Sequence, residues 1–410
     1  MASPRHASHV GLAGVAIAAL LVLFPLGPRY ATRTGNIYIA TLATLLWLAG
    51  WCVFAFAGPR GGLSLATAPQ KALFAYAAFL GLQLLIHLGA MLERPAFLLR
   101  AVQLLAYMGL FATISSMSLD ARFARRLVAI MLGVFGIECV LTFLLPDSTS
   151  VHGFLTGTFD REHNTFAAYL LLMTCILFAL LSHAPPGPRR FLLAVLLAAA
   201  VLCLALSLSR TAYVAMPVAI LALIHRRWGR RPVAVSAAVL LGLILVFGLI
   251  FPASVRDRFA SIVEIASGEG QDISFMTRLA LWEMAASELI RTGFVGVGLY
   301  GFHYIDNYYV RALVETGPIG FGLFVWFIAA ALLWLWRAYA SDEDEAVRTL
   351  ALALYGATVG LLGVMSLATD SFLVHRVMGL YWVLFATVVA AHRARRVGGP
   401  ASGAPLDVPA

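Results

Sequence analysis

Charge is scarce in this 410-residue chain: Asp, Glu, Lys and Arg together make up 12% of it, against about 25% in a soluble domain. Lysine is scarcer still, with Lys71 alone among 29 basic residues, the rest being arginine. Cysteine is limited to Cys52, Cys139, Cys175 and Cys203. Each lies inside an apolar run, without the spacing of a metal site or a disulfide framework, so all four read as small core residues. No internal repeat is visible. In place of charge there is 61% hydrophobic residues and a mean hydropathy of +0.89. One soluble core cannot absorb that much apolar surface. Helices of about 20 apolar residues in a bilayer can, because each satisfies its own backbone hydrogen bonds.

Apolar runs fall at 10–27, 36–57, 71–91, 96–117, 126–145, 164–182, 191–208, 211–225, 233–251, 318–336, 346–367 and 375–391. The expected fold is therefore an all-α integral membrane protein, residues 1–410 forming a single polytopic domain of about twelve transmembrane helices. The first run lacks a convincing small-residue cleavage site and reads as an uncleaved span. The net charge of +9 reflects loop arginines that set topology and meet anionic lipid, so no nucleic-acid partner is expected. With both termini in the cytoplasm, the arginine clusters at 122–126, 226–231 and 393–396 all fall inside, as the positive-inside rule requires. Residues 397–410, rich in Gly and Pro, read as a disordered tail. Ser341 to Glu345, with four consecutive acids, reads as a solvated cytoplasmic turn.

This orientation leaves a long loop, residues 252–317, on the outer face. A loop of that length carries structure or function of its own. Phe275, Leu279, Trp282, Ala286 and Leu289 recur at helical steps and predict an amphipathic helix against the bundle or membrane surface, with Ser274 as its N-cap.

Three polar constellations gather near that face. Leu206-Ser-Leu-Ser-Arg-Thr-Ala-Tyr213 interrupts an apolar stretch and predicts a tight helical hairpin that holds Arg210 at the membrane edge. An ionisable residue there is expensive, and the planar fork of Arg suits a diphosphate; snorkelling to lipid headgroups is the plainer alternative. The second closes the long loop: Gly296-Val-Gly-Leu-Tyr-Gly-Phe-His303, Asp306-Asn-Tyr-Tyr-Val-Arg311 and Glu315-Thr-Gly-Pro-Ile-Gly320. Asn307, Arg311 and Glu315 share one stripe of a short helix. A carboxylate, an amide and a guanidinium there can seat a sugar hydroxyl, and Asp306 can take its proton. The bland alternative is an Arg311–Glu315 salt bridge on a solvated face. His303 is placed to pair with Asp306. In the third, Gly157 to Phe166, His163 and Asn164 either cap the following helix or bind substrate. Asp370 and Arg376 flank the last outer loop without a pattern.

At these residues the chain resembles the O-antigen ligase and Wzy-type polysaccharide polymerase family. The matching pieces are Gly157 to Tyr169, Ser209-Arg-Thr, Arg278 with Trp282, Gly296-Val-Gly followed by Phe302, Asp306-Asn-Tyr-Tyr, and Glu315-Thr-Gly-Pro-Ile-Gly320. They span residues 157–335. The resemblance implies a GT-C-like helical bundle with a long periplasmic loop carrying short helices, in the bacterial cytoplasmic (inner) membrane. It implies a glycosyltransferase that moves a glycan from undecaprenyl diphosphate to an acceptor hydroxyl on a lipid or another glycan at the periplasmic face. No cofactor, nucleotide sugar or metal is implied. Arg210 and Arg278 would hold the diphosphate, and Asp306 stands at the family's reactive position. Ligases usually carry His-Asn where this chain has Asp306-Asn307, so Asp306 looks more like polymerase-type members. The rival reading is a polytopic transporter or flippase of the polysaccharide pathway, and Glu138 is the clearest mid-span charge that would serve one. A catalytically dead scaffold is the third.

Overall fold

The computed structural model of the protein describes residues 4–27, 29–32, 35–57, 62–145, 154–159, 162–229, 273–293, 295–302, 305–373 and 375–398, with isolated positions between 232 and 267. Most of the ninth apolar run, His303, and 399–410 of the tail lie outside the described residues.

Each of the other eleven apolar runs is a helix. In order these are α1 (Pro4–Leu26), α2 (Ile39–Ala57), α3 (Ala68–Ile86) with the short α4 (Leu88–Leu92), α5 (Pro95–Ser116), α6 (Ala121–Leu144), α7 (His163–His183), α8 (Pro188–Leu206) and α9 (Arg210–Trp228). After α9 come α10 (Ile273–Arg291) in the long loop, α11 (Tyr308–Ser341), α12 (Glu345–Ala357) and α13 (His375–Gly398). Eight of the described helices are long and apolar enough to cross a membrane, and shorter apolar helices cover Ala13–Leu26 and Ile39–Val53. The architecture is all-helical as expected, with one small antiparallel hairpin, Arg29–Thr32 paired to Gly35–Tyr38, between α1 and α2. Val397 and Gly398, expected in the tail, are the last residues of α13.

Hydropathy alone does not rank these helices, but packing does. Along its apolar stretch α13 is 89% buried inside the protein, whereas the equally membrane-length α8 is 22% buried. So α13 is a central strut, flanked by α5, α1 and α12, and α8 is peripheral, with most of its surface not covered by the protein. At the centre Trp382 meets Phe111, Phe327 and Phe372.

Successive helices alternate in direction and give the bundle two ends. At one end Asp342 accepts from His392 Nδ1 (2.7 Å) and Arg395 (3.1 Å), and Asp344 caps α12 and pairs with Arg395 (2.8 Å). Asp342 is buried. The acidic turn expected to be merely solvated is therefore a clasp between α11, α12 and α13. Among the described residues, the arginines of the 122–126, 226–231 and 393–396 clusters lie at this end.

Helix regularity breaks where the opposite end needs it. Pro318 has no N–H for the Val314 carbonyl, and Gly317 (φ 66°) kinks α11 there. The freed carbonyls of Val314 and Glu315 instead accept from Val297 N–H (3.1 Å) and Gly298 N–H (2.9 Å). After α12 the chain widens into a π-helical turn, Thr358–Val364. There the Leu362 carbonyl accepts from the Tyr309 hydroxyl (2.6 Å) and the Leu361 carbonyl from Ser366 (3.0 Å).

Candidate functional site

The start of α11 is fixed from several sides. Asn307 is its N-cap: the side-chain Oδ1 accepts from the N–H groups of Tyr309 (2.9 Å) and Val310 (3.1 Å). The cap is Asn307 and not its neighbour Asp306, whose carboxylate is engaged elsewhere. Tyr308 follows. Its ring meets Phe324 edge-on and Phe372 at a tilt, and its hydroxyl is 3.1 Å from that of Tyr76 on α3.

Asp306 meets Arg278 of α10. Arg278 donates from Nε (3.1 Å) and from a terminal nitrogen (2.9 Å), both to Oδ2, and the two side chains remain 23% and 30% exposed. A partly solvated ion pair of this kind contributes little to stability, about 0–1 kcal/mol. It is available for other work. α10 reaches Asp306 because its apolar face packs on α11, with Leu281, Trp282 and Ala285 against Ile305, Val310 and Val314. Leu289 is buried as expected, but Ala285, not Ala286, is the inward alanine. The helix also starts at Ile273, one residue before Ser274, the expected cap.

Arg311 and Glu315 form the expected i,i+4 pair at 2.9 Å, but each side chain is only 5% exposed, so the solvated-face reading is corrected. A buried pair needs further partners to offset desolvation. It has them: Asp370 lies 3.8 Å from Arg311, the Tyr300 ring sits 4.7 Å below its guanidinium, and Tyr300 N–H donates to Glu315. Asp370 keeps 26% of its side chain accessible. Even so, burial pushes its carboxyl above the usual range, Arg311 and Arg100 pull it back, and nearby Asp306 pushes it further up. Asp306, Asp370, Arg278 and Arg311 are therefore neighbours in one electrostatic cluster.

The hairpin at Arg210 forms as expected. α8 ends at Leu206, Leu208 takes the left-handed conformation (φ 55°), and α9 starts at Arg210. A branched apolar residue at positive φ is strained. Ser209 donates to Asn164 Oδ1 (2.8 Å), so Asn164 ties the hairpin to the start of α7. The capping reading for His163 and Asn164 is corrected: Glu162 holds the N-cap position, and the His163 ring packs on Phe154 at 4.8 Å. Glu138 is not a lone mid-span charge either. It accepts from the N–H and hydroxyl of Thr158 (both 2.8 Å), and Arg376 donates to the Thr158 and Gly27 carbonyls (2.7 and 2.5 Å). These bonds clasp the segment that leads into α7.

All these groups lie at the end opposite the Asp342 clasp. α7, α9 and α11 also direct their N-termini to this end, which favours anions there. Between α5, α10 and the turn at 300–302 opens a cleft of about 940 Å³, with Arg94, Arg100, Tyr300 and Arg311 among its walls. Sequence reasoning missed Arg94, Arg100, Tyr300 and Asp370 as site residues. Tyr300 lies within the Gly296–His303 motif without standing out there, Arg94, Arg100 and Asp370 lie in no motif, and only the helix packing assembles the four.

None of the curated proteins matches the chain. Residues 192–325 match the O-antigen ligase family, a stretch that contains Arg210, Arg278, Asp306, Asn307, Arg311 and Glu315 but neither Asn164 nor Asp370. The chain is thus a multi-pass membrane protein whose residues 192–325 are similar to the O-antigen ligase family.

Proposed function

We propose that the protein is a GT-C-like membrane glycosyltransferase that moves a glycan from undecaprenyl diphosphate to an acceptor hydroxyl at the periplasmic face of the inner membrane. The observation that carries this reading is the Arg278–Asp306 pair, set directly before the capped start of α11 and inside the matched segment. It joins a guanidinium fork suited to diphosphate to a carboxylate able to accept a proton.

In this mechanism the carrier diphosphate takes the fork of Arg278, with Arg210 as a second anchor, and releases Asp306 from its partner. Asp306 then accepts the proton of the acceptor hydroxyl. The hydroxyl oxygen bonds to the anomeric carbon, the bond from that carbon to the diphosphate oxygen breaks, and undecaprenyl diphosphate leaves carrying the electron pair. Arg210 and Arg278 neutralise the charge that grows on the leaving group. The sugar enters already activated, so positioning and electrostatics do most of the work. Asn164 and His163 at the head of α7, with Asn307, Arg311 and Glu315, form the surrounding substrate wall, Asn307 and the Arg311–Glu315 pair acting through the helix they hold.

The test replaces the chromosomal copy by Asp306→Asn, which keeps size and hydrogen bonding but removes basicity. Glycan transfer or chain growth is expected to fall by roughly 10²–10⁴-fold, the usual worth of a general base, with membrane protein level unchanged. Polymer of normal length and yield would remove Asp306 from the mechanism. Arg210→Lys keeps the charge and loses the fork; impaired transfer is expected, and full activity would leave Arg210 as a snorkelling residue.

A further inference from the structure

The cleft beside the Arg278–Asp306 pair is built from two facing helical stripes. On α10 the stripe runs Ala280, Glu283, Met284, Ser287, Glu288 and Arg291, at steps of three and four residues. It faces away from the apolar side that packs on α11. Across the gap, Arg94, Phe97 and Arg100 line the first turns of α5. Arg291 is engaged by Glu288, through bonds of 2.8 and 2.5 Å. Arg94 and Arg100 are exposed, so the upper wall carries two guanidinium groups facing the one remaining carboxylate, Glu283.

Tyr300 lines the same cleft. It is one of two non-glycine residues with positive φ (55°) among the described residues, and it is 4% exposed. Its ring stacks on Phe97 at 6.4 Å and lies under Arg311 at 4.7 Å. Its hydroxyl is buried and has no hydrogen-bond partner among the described residues. Buried polar groups are nearly always satisfied. Strained backbone together with an orphaned donor is the pattern of a group held ready for a ligand. The cleft volume suits a ligand of drug size or larger, and aromatic rings among hydroxyl, carboxylate and guanidinium groups suit sugar rings that bear a negative charge.

We infer that the cleft between α5, α10 and the 300–302 turn is a subsite for the acceptor glycan, in which Arg94 and Arg100 bind an anionic substituent of the saccharide and Tyr300 donates its hydroxyl to a sugar oxygen. This rests on the transfer reading above and adds to it a substrate class, an acidic saccharide. Glu283 and Ser287 take sugar hydroxyls on the opposite wall. The charge selects the saccharide, because a guanidinium grips a carboxylate through paired hydrogen bonds that a neutral hydroxyl cannot replace.

The full chain in lipid nanodiscs is titrated calorimetrically with a glucuronic-acid-containing tetrasaccharide and with the same compound after reduction of its carboxyls to alcohols. Wild-type protein is expected to bind the acidic form at least tenfold more tightly. Arg94→Gln with Arg100→Gln should abolish that preference. Tyr300→Phe should weaken both forms alike, by about 3–10-fold, the worth of one hydrogen bond. Equal affinity of wild-type protein for the two compounds, or a preference that survives the double variant, overturns the subsite. Displacement of the acidic tetrasaccharide by equimolar inorganic diphosphate also overturns it, assigning the cleft to the donor. The transfer reading stands or falls separately, on the Asp306→Asn cells: a lost preference with an intact Asp306 requirement removes the acidic-saccharide subsite alone.

Discussion

Asp306 and Asn307 are adjacent and chemically alike, yet the fold gives them different tasks. Asn307 holds two backbone N–H groups at the head of α11, and Asp306 holds Arg278. Replacing Asn307 by Ala is expected to cost about 1 kcal/mol of stability, visible as a lower melting temperature. Asp306→Asn should leave the melting temperature nearly unchanged while transfer falls. Asp370 provides a pH signature of the same cluster. Its carboxyl is raised on folding, chiefly by burial, so the folded state favours the protonated form. Its contribution is complete below the unfolded value of about 4 and is lost as pH rises through the higher folded value. The melting temperature of the detergent-purified protein should therefore fall across that window, and Asp370→Asn should flatten the profile. Superimposable profiles would separate Asp370 from the cluster.

Segment 296–298 and the kinked helix α11 are complementary elements. Pro318 strips the Val314 carbonyl of its helical partner, and segment 296–298 supplies the missing donors. Two glycines at φ 90° and 85° permit the approach. A Cβ on Gly296 would sit 2.5 Å from the Glu315 carbonyl oxygen, at a backbone angle that side chains avoid. Gly296→Ala is expected to destabilise by about 1–3 kcal/mol and to displace Tyr300 and Glu315 with the segment. A thermal-shift assay together with the transfer assay checks this. Unchanged stability and activity would mean that the segment does not brace the site.

For the molecule as a whole, the polar site and the arginine clusters occupy opposite ends of one bundle. By the positive-inside rule we propose that the arginine end faces the cytoplasm and the site the outside. Alkaline phosphatase fused after Gly293 should be active, and the same enzyme fused after Asp344 inactive. The reverse pattern would place the site in the cytoplasm and exclude a periplasmic transfer.

The sequence alone determined the membrane environment, the position of eleven helices and the hairpin at Arg210, because apolar runs in lipid have few alternatives to helix. It also marked the Gly296, Asp306 and Glu315 motifs, whose residue types are costly at a membrane surface without purpose. Tertiary packing decided what each motif touches. It buried the Arg311–Glu315 pair that spacing alone leaves on a solvated face. It brought Cys139 and Cys203 into thiol contact despite their distance in sequence. It made Asn307 the cap of α11, turned Tyr300 of the Gly296 motif into the cleft, and recruited Asp370, Arg94 and Arg100 from segments without a pattern. Periodicity reports which way a residue points along its own helix, and the partner it meets depends on how separate helices cross, which no local pattern encodes.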